Sequence, residues 1–346
     1  MKNGRIAWVD TLRFLGMLAV YIGHFGEIGG RLYPFVFIYH VPLFFFAAGF
    51  FARKDEPLPL MAWRYTRRLL APYIFFALLY AVTLALFYDW PWTKLQDALV
   101  AFSFGIRNQI PAGSLWFLPC LFVVALAYGA VLRLTRSALA GLAFGGICLT
   151  VSQVGLPFDP LAAPSWPLNA DSALYYVWWY ALGQAAFPFL RSEVRRPWFT
   201  VVGILAALAT GWFYFNGTGE IYALADIFPP GRRQNFTHAV IGVLIIGVAI
   251  LANIAFAHAL ESVQLLREMG QRTLTLCGTE DFTKLVLGQT LLLFGLKFQM
   301  IHPLSVVLYA FSCMLFSTLI IGRALENHAP QWTSLRTRSV SGPILR

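Results

Sequence analysis

The sequence predicts an all-α fold, a polytopic membrane helix bundle of about ten transmembrane spans. Three observations predict it. Of the 346 residues, 58% are hydrophobic and only 12% are charged, and the mean hydropathy is +0.65. A water-soluble domain has roughly a quarter charged residues. The composition therefore excludes a soluble enzyme, a disordered chain and a collagen-like chain.

The candidate spans follow from a window of about 20 residues, the length that crosses a bilayer. The spans lie at 6–26, 34–52, 69–88, 114–133, 138–155, 172–190, 198–215, 236–257, 276–296 and 300–322. The ninth is the weakest, since Glu280, Asp281 and Lys284 lie in its first half. Asp10 and Arg13 interrupt the first span, which therefore lacks the uninterrupted apolar region of a secretory signal. We expect this span to be retained.

The basic residues test this arrangement independently. With the amino terminus in the cytoplasm, about three of every four Lys and Arg residues outside the spans lie on the cytoplasmic side. Ten spans then place both termini in the cytoplasm. No internal repeat or linker divides the chain, so we predict one membrane domain over residues 1–346, with 323–346 as a cytoplasmic tail. The net charge of +10 follows from this topology, and we expect the lipid bilayer, not nucleic acid, as a partner.

Four ionisable residues lie in the first span or directly after it, in a region where charge is costly and usually functional. Arg13 and His24 are eleven residues apart, which places them on one helix face, about 16 Å apart along the axis. Asp10 precedes Arg13 by three residues and Glu27 follows His24 by three, so each has a carboxylate within reach on a continuous helix. A structural Asp10–Arg13 ion pair with a merely hydrogen-bonded His24 is the alternative interpretation.

Several segments in the first third of the chain match one family in order and spacing. They are Asp10-x-x-Arg13, the step from Arg13 to His24, His40-x-Pro-Leu-Phe-Phe through Gly49-Phe50, Arg64 and Arg67 before Pro72, and Leu115-Trp-Phe-Leu. In these segments the chain resembles the membrane acyltransferase-3 family of bacterial surface-glycan O-acyltransferases. The resemblance is closest to its fucose and exopolysaccharide O-acetyltransferase-like branch. The second arginine of the basic pair before Pro72 is not fixed by the sequence, because Arg68 could take the place of Arg67.

The resemblance implies a multi-pass enzyme of the bacterial cytoplasmic membrane. It implies transfer of an acyl group, usually acetyl, from cytoplasmic acyl-CoA to a hydroxyl of a cell-surface carbohydrate or glycolipid. We expect acyl-CoA, and acetyl-CoA first, as the donor substrate, and no metal, since the four cysteines lack metal-ligand spacing. The chain departs from the family at Glu280, ten residues after Gly270, where the family usually has a histidine.

Within this resemblance, Arg64, Arg67 and Arg68 would hold the donor phosphates at the cytoplasmic mouth, since a guanidinium fork fits phosphate oxygens. The acyl arm would then run past Arg13 into the bundle. His24 would meet the thioester about 16 Å deeper.

An imidazole titrates near neutrality, so His24 can take the proton of an attacking hydroxyl and return it to the thiolate. Glu27, or His40 on the next span, would fix its tautomer. A covalent acyl-histidine relay stays open beside direct transfer.

The remaining candidates have structural interpretations as well. His40, before Pro42, could simply hydrogen-bond to the backbone. Trp116 is either an interfacial anchor or a platform that stacks on sugar or adenine. Glu280 could bind substrate, but its spacing favours an ion pair with Lys284. For the whole chain, a transporter or flippase and a catalytically silent family relative are the rival functions. The sequence does not indicate a protein partner.

Overall fold

The computed structural model describes residues 5–54, 56–295 and 302–328. Within these ranges the secondary structure is helical and includes no strand, which confirms the predicted all-α class. A lipid environment explains the helical structure, because the bilayer core offers no water and each backbone N–H and C=O must form its hydrogen bond within its own segment. The helices are α1 (Ala7–Gly23), α2 (Leu32–Phe37), α3 (His40–Gly49), α4 (Leu58–Tyr65), α5 (Ala71–Phe87), α6 (Trp92–Phe104), α7 (Phe117–Thr135), α8 (Ala138–Thr150), α9 (Ala170–Glu193), α10 (Pro197–Asn216), α11 (Gly219–Tyr222), α12 (Arg232–Ala259), α13 (Gln264–Gln271), α14 (Thr273–Leu293), α15 (Pro303–Phe316) and α16 (Gly322–His328).

Among the described residues, 7 helical segments are long and apolar enough to cross a membrane. They are Leu32–Gly49, Leu58–Phe87, Phe117–Thr135, Ala138–Gly155, Pro197–Asn216, Arg232–Ala259 and Pro303–His328. The other three predicted spans coincide with α1, α9 and α14. Of these, α1 has only 17 residues and α14 carries three charged residues in its interior, which weakens both as independent spans.

The total of ten spans and the orientation of the termini therefore stay predictions. Parts of these predictions concern residues that the structure does not describe. Residue 296 of the ninth span, residues 300–301 of the tenth, and residues 329–346 of the predicted tail lie outside the described ranges.

Helix α1 lies in the interior of the bundle. Thirteen of its 17 residues are buried, and α3, α12, α13 and α15 pack around it. By contrast, α10 exposes Val201, Ile204 and Leu208, as a lipid-facing helix does. The fold thus holds the ionisable residues of α1 away from lipid.

Helices α3 and α9 approach closely because a glycine of each helix faces the backbone of the other. A Cβ added at Gly183 would collide with the Phe46 carbonyl group, and one added at Gly49 would collide with the Tyr180 carbonyl oxygen. Small residues allow such close approach between membrane helices. This contact holds α3, which begins with His40, against the bundle.

We expect Gly183→Ala to destabilise the protein by about 1–3 kcal/mol, because overpacking at this site forces one backbone to move. The midpoint of thermal unfolding in detergent should fall. Gly211→Ala on α10 is the matched control, since a Cβ there meets no atom of the described residues within 4 Å, and alanine favours a helix interior. Equal midpoints for the two variants would contradict the packing argument.

Candidate functional site

An internal cavity of about 940 Å³ is lined by residues of α1, α3, α9, α12 and the loop that precedes α7. Arg13 and His24 both line it, so the two side chains share one interior face, as their eleven-residue spacing predicts. Arg68 lines the same cavity. One continuous space therefore connects the basic segment, the guanidinium of α1 and the imidazole.

His24 directly follows α1 as its carboxyl-terminal cap, with 22% of its side chain exposed. Its Nδ1 atom lies 2.7 Å and 2.8 Å from the two carboxylate oxygens of Glu280. An ionised carboxylate only accepts hydrogen bonds, so Nδ1 carries the proton. Nε2 is then the atom that can accept a proton, and a Cβ placed on the neighbouring Gly113 would lie 3.5 Å from it.

The predicted orienting role of Glu27 is wrong, because Glu280 occupies Nδ1 of His24. The expectation required a helix that continues past His24, but α1 ends at Gly23. Gly26 adopts a φ of +59°, in the left-handed region that favours glycine, and the chain enters a short 3-10 turn. Glu27 is consequently exposed. The three-residue spacing has its expected meaning only on a continuous helix.

His40 begins α3 and also lines the cavity. Its Nδ1 atom donates to the carbonyl oxygen of Val36 at 2.7 Å, since a carbonyl can only accept. The structure therefore shows the backbone hydrogen bond that the structural interpretation expects. It does not place His40 at Nδ1 of His24, so the predicted role of His40 in fixing that tautomer is also corrected.

Glu280 lies on α14 and is fully buried. Lys284, one turn later, places Nζ 2.6 Å from Oε1 of Glu280, the ion pair that their spacing predicts. The pairing matters because an unpaired buried carboxylate is strongly destabilising. The adjacent Asp281 accepts a hydrogen bond from the backbone N–H of Gly113 at 2.7 Å. Helix α14 thus supplies the carboxylate, its counter-ion and an anchor for the loop beside the His24 ring.

Two further hydrogen bonds set the position of α14 against the site. The Tyr21 hydroxyl donates to the carbonyl oxygen of Leu276 at 3.0 Å. The Ser114 hydroxyl donates to the carbonyl oxygen of Cys277 at 2.8 Å. Because one donor lies on α1 and the other on the loop before α7, the two bonds join the three segments that surround His24.

Asp10 lies near Arg13 in the geometry that their spacing predicts, with 3.9 Å between Oδ1 and Nη1. Gln271 donates to the other Asp10 oxygen at 3.0 Å. Helix α13 can approach because Gly270 has no side chain, and a Cβ there would collide with the Asp10 carbonyl oxygen. The Arg13 guanidinium also lies 5.0 Å from the centre of the Phe51 ring. Asp10 therefore holds Arg13 at the cavity wall.

The arginines of the basic segment have different surroundings. Arg64 donates to both Glu56 carboxylate oxygens, at 2.8 Å and 2.5 Å. These hydrogen bonds lower the pKa of the Glu56 carboxyl group from its ordinary value. Arg67 and Arg68 lie in a π-helical turn, Thr66–Leu70, and of the three arginines Arg68 is the one that lines the cavity. Of the two candidates for the second arginine of the basic pair, the geometry thus favours Arg68 over Arg67. Arg64 forms an ion pair with Glu56.

Trp116 precedes α7, is 5% exposed and lines the cavity. An interior position does not suit an interfacial anchor, which needs contact with the membrane surface. The guanidinium carbon of Arg107 lies 4.8 Å from the centre of its ring. Sequence analysis did not single out Arg107. The sequence feature that could have indicated it is its position as a basic residue in the loop that leads into the Leu115-Trp-Phe-Leu segment.

The helices and the site together define a class: a multi-pass membrane protein in which a histidine on the wall of a cavity is paired with a buried carboxylate. Residues 6–322 match the family model for the acyltransferase domain of the acyltransferase-3 family. The chain therefore belongs to this family, which supports a membrane acyltransferase. No curated protein and no solved structure matches the chain. The fucose and exopolysaccharide branch and the roles of the individual residues stay predictions.

Proposed function

We propose that the protein is a membrane O-acyltransferase that transfers an acyl group, acetyl first, from cytoplasmic acyl-CoA to a hydroxyl of a bacterial surface carbohydrate or glycolipid. The observation that supports it most is the contact between Nδ1 of His24, which lines the cavity, and the buried Glu280 carboxylate behind it. Such a pair makes an imidazole an oriented general base. The family membership favours the enzyme over a transporter.

In the proposed reaction, Nε2 of His24 removes the proton of the acceptor hydroxyl while the hydroxyl oxygen attacks the thioester carbonyl carbon. The resulting tetrahedral oxyanion collapses and breaks the C–S bond. The departing thiolate takes the proton back from Nε2, so the imidazole ends the cycle neutral. Glu280 keeps its charge throughout and stabilises the transient imidazolium. An acyl-histidine relay through the same Nε2 atom is the alternative chemistry.

The donor would enter at the end of the cavity that Arg68 lines, where a guanidinium can bind the CoA phosphates. Its uncharged arm would then pass Arg13 and bring the thioester to His24. All three residues line the same cavity. In this proposal the donor and the acceptor would approach the imidazole from different directions.

The test uses the purified full chain in detergent with acetyl-CoA and a surface-glycan fraction from cells that lack the gene. Release of the CoA thiol together with stable acetylation of the glycan is the expected result. Thiol release without glycan acetylation would limit the protein to hydrolysis. Absence of both products would support a transporter or a silent family relative and would overturn the proposal.

We expect Arg68→Ala to raise the KM for acyl-CoA about tenfold, because a hydrogen bond to a charged group contributes roughly this factor. The KM for the acceptor should change little. Arg67→Ala is the matched control, since it removes the same charge from the same turn and should have a smaller effect on the KM for acyl-CoA. Equal increases for both variants would indicate that these arginines act through topology alone.

A further inference from the structure

Arg107 lies in the loop between α6 and α7, and its side chain lines the cavity that contains His24. Several neighbouring groups hold it. Its backbone N–H donates to the Asn169 side chain at 2.8 Å, its Nη2 donates to the carbonyl oxygen of Leu161, and its guanidinium lies over the Trp116 ring. The group is therefore positioned before any substrate arrives.

The charge of Arg107 has no partner of opposite sign among the described residues. By contrast, Arg64 pairs with Glu56, and Arg272 pairs with Glu326. In addition, the Nε atom of Arg107 is buried and has no hydrogen-bond partner in the part of the chain that the structure describes. A buried donor without an acceptor costs free energy, so an acceptor group supplied by a bound ligand would remove that cost.

In the described part of the chain, arginine is the charged residue type that lines the cavity, and Asp10 and Glu280, which do not line it, pair with Arg13 and His24. Among the described residues, the ionisable side chains that line it include three arginines and two histidines but no aspartate or glutamate. In the proposed function, the donor phosphates neutralise the end near Arg68. Arg107 belongs to the loop whose Gly113 lies beside the His24 ring, at the carboxyl-terminal end of α1. The donor phosphates therefore leave this second positive end without an anion.

We infer that Arg107 binds an oxyanion of the acceptor, so that the acceptor is an anionic glycan with a carboxylate or phosphate near the acylated hydroxyl. This inference rests on the proposed function. A guanidinium fork can bind a carboxylate or phosphate through two parallel hydrogen bonds. The oxygen of a neutral sugar hydroxyl could accept a hydrogen bond from Nε–H of Arg107, but it would leave the positive charge of the guanidinium uncompensated.

The test measures binding without donor. The purified full chain in detergent is mixed with methyl glucuronide, glucose 1-phosphate or methyl glucoside, and the midpoint of thermal unfolding is followed, since a ligand of the folded state raises it. One or both anionic probes should raise the midpoint more than the neutral glucoside. The larger of the two shifts tells whether the oxyanion is a carboxylate or a phosphate.

Arg107→Gln should weaken binding of the preferred anionic probe about tenfold and leave the response to methyl glucoside unchanged. Arg107→Lys keeps the charge without the guanidinium fork and should retain part of the preference for the anionic probe. This variant keeps the test decisive if Arg107→Gln folds poorly. Lys94→Gln is the control, because Lys94 is an exposed cation on α6 that does not line the cavity.

Equal responses to all three probes, no response to any, or a preference that persists in Arg107→Gln would overturn the inference. Failure of the proposed function has a different signature. It would appear as absence of acetyl-CoA turnover with every acceptor, whereas the binding preference is measured without acetyl-CoA.

Discussion

Replacement of His24 by alanine is expected to lower kcat for acyl transfer by about 10²- to 10⁴-fold, the range that general acid–base catalysis contributes. The variant keeps the cavity but has no atom at the position of Nε2 to accept the proton of the acceptor hydroxyl. The KM for acyl-CoA should change little, because in the proposed function the donor phosphates bind near Arg68, away from the imidazole. Steady-state release of the CoA thiol by the purified variant measures both quantities.

Loss of folding would be a different cause, and the structure argues against it. Glu280 keeps Lys284 as a counter-ion at 2.6 Å when the imidazole is removed, so its charge stays paired. The midpoint of thermal unfolding should therefore lie near that of the wild type. His238→Ala is a matched control at a partly exposed histidine outside the cavity and should retain activity. Full activity in His24→Ala would remove His24 from the mechanism.

Replacement of Glu280 by glutamine is the second large expected effect, a fall in kcat of about 10²- to 10⁴-fold. The amide oxygen can still accept a hydrogen bond from Nδ1 of His24, but it carries no charge to stabilise the imidazolium. The KM for acyl-CoA should again change little. Glu27→Gln makes the same chemical change at the exposed carboxylate close to His24 in sequence, and we expect it to retain activity.

The reverse outcome, with Glu27→Gln inactive and Glu280→Gln active, would reject the observed pairing. Two further variants separate catalysis from folding. Glu280→Gln leaves Lys284 without its counter-ion, so Glu280→Gln combined with Lys284→Gln should recover stability without recovering kcat. Glu280→Gln combined with His24→Ala should be no slower than His24→Ala alone, because residues that act as one unit have non-additive effects.

The helical class could be predicted from composition and from the length of the apolar runs. A chain that is 58% hydrophobic and 12% charged is typical of a membrane protein, and apolar runs of about 20 residues span a bilayer as helices. The number of transmembrane spans is harder to predict from the sequence. Helices α1 and α14 carry ionisable residues and are weak spans by themselves, and packing against neighbouring helices is what makes such segments stable inside a bundle.

Spacing within one helix was equally informative. Arg13 and His24 share the cavity wall because eleven residues return an α-helix to nearly the same face. The Glu280–Lys284 ion pair follows from a four-residue step in the same way. Such predictions need only local geometry, and local geometry follows directly from the order of residues.

The partner of His24 was decided only by the tertiary structure. Glu280 lies 256 residues away along the chain, so no periodicity relates the two, and the turn at Gly26 removes the nearer Glu27 from reach. The choice of Arg68 over Arg67, and the place of Arg107 beside Trp116, arise in the same way. Contacts between distant segments depend on how whole helices pack, and that packing is a property of the complete bundle.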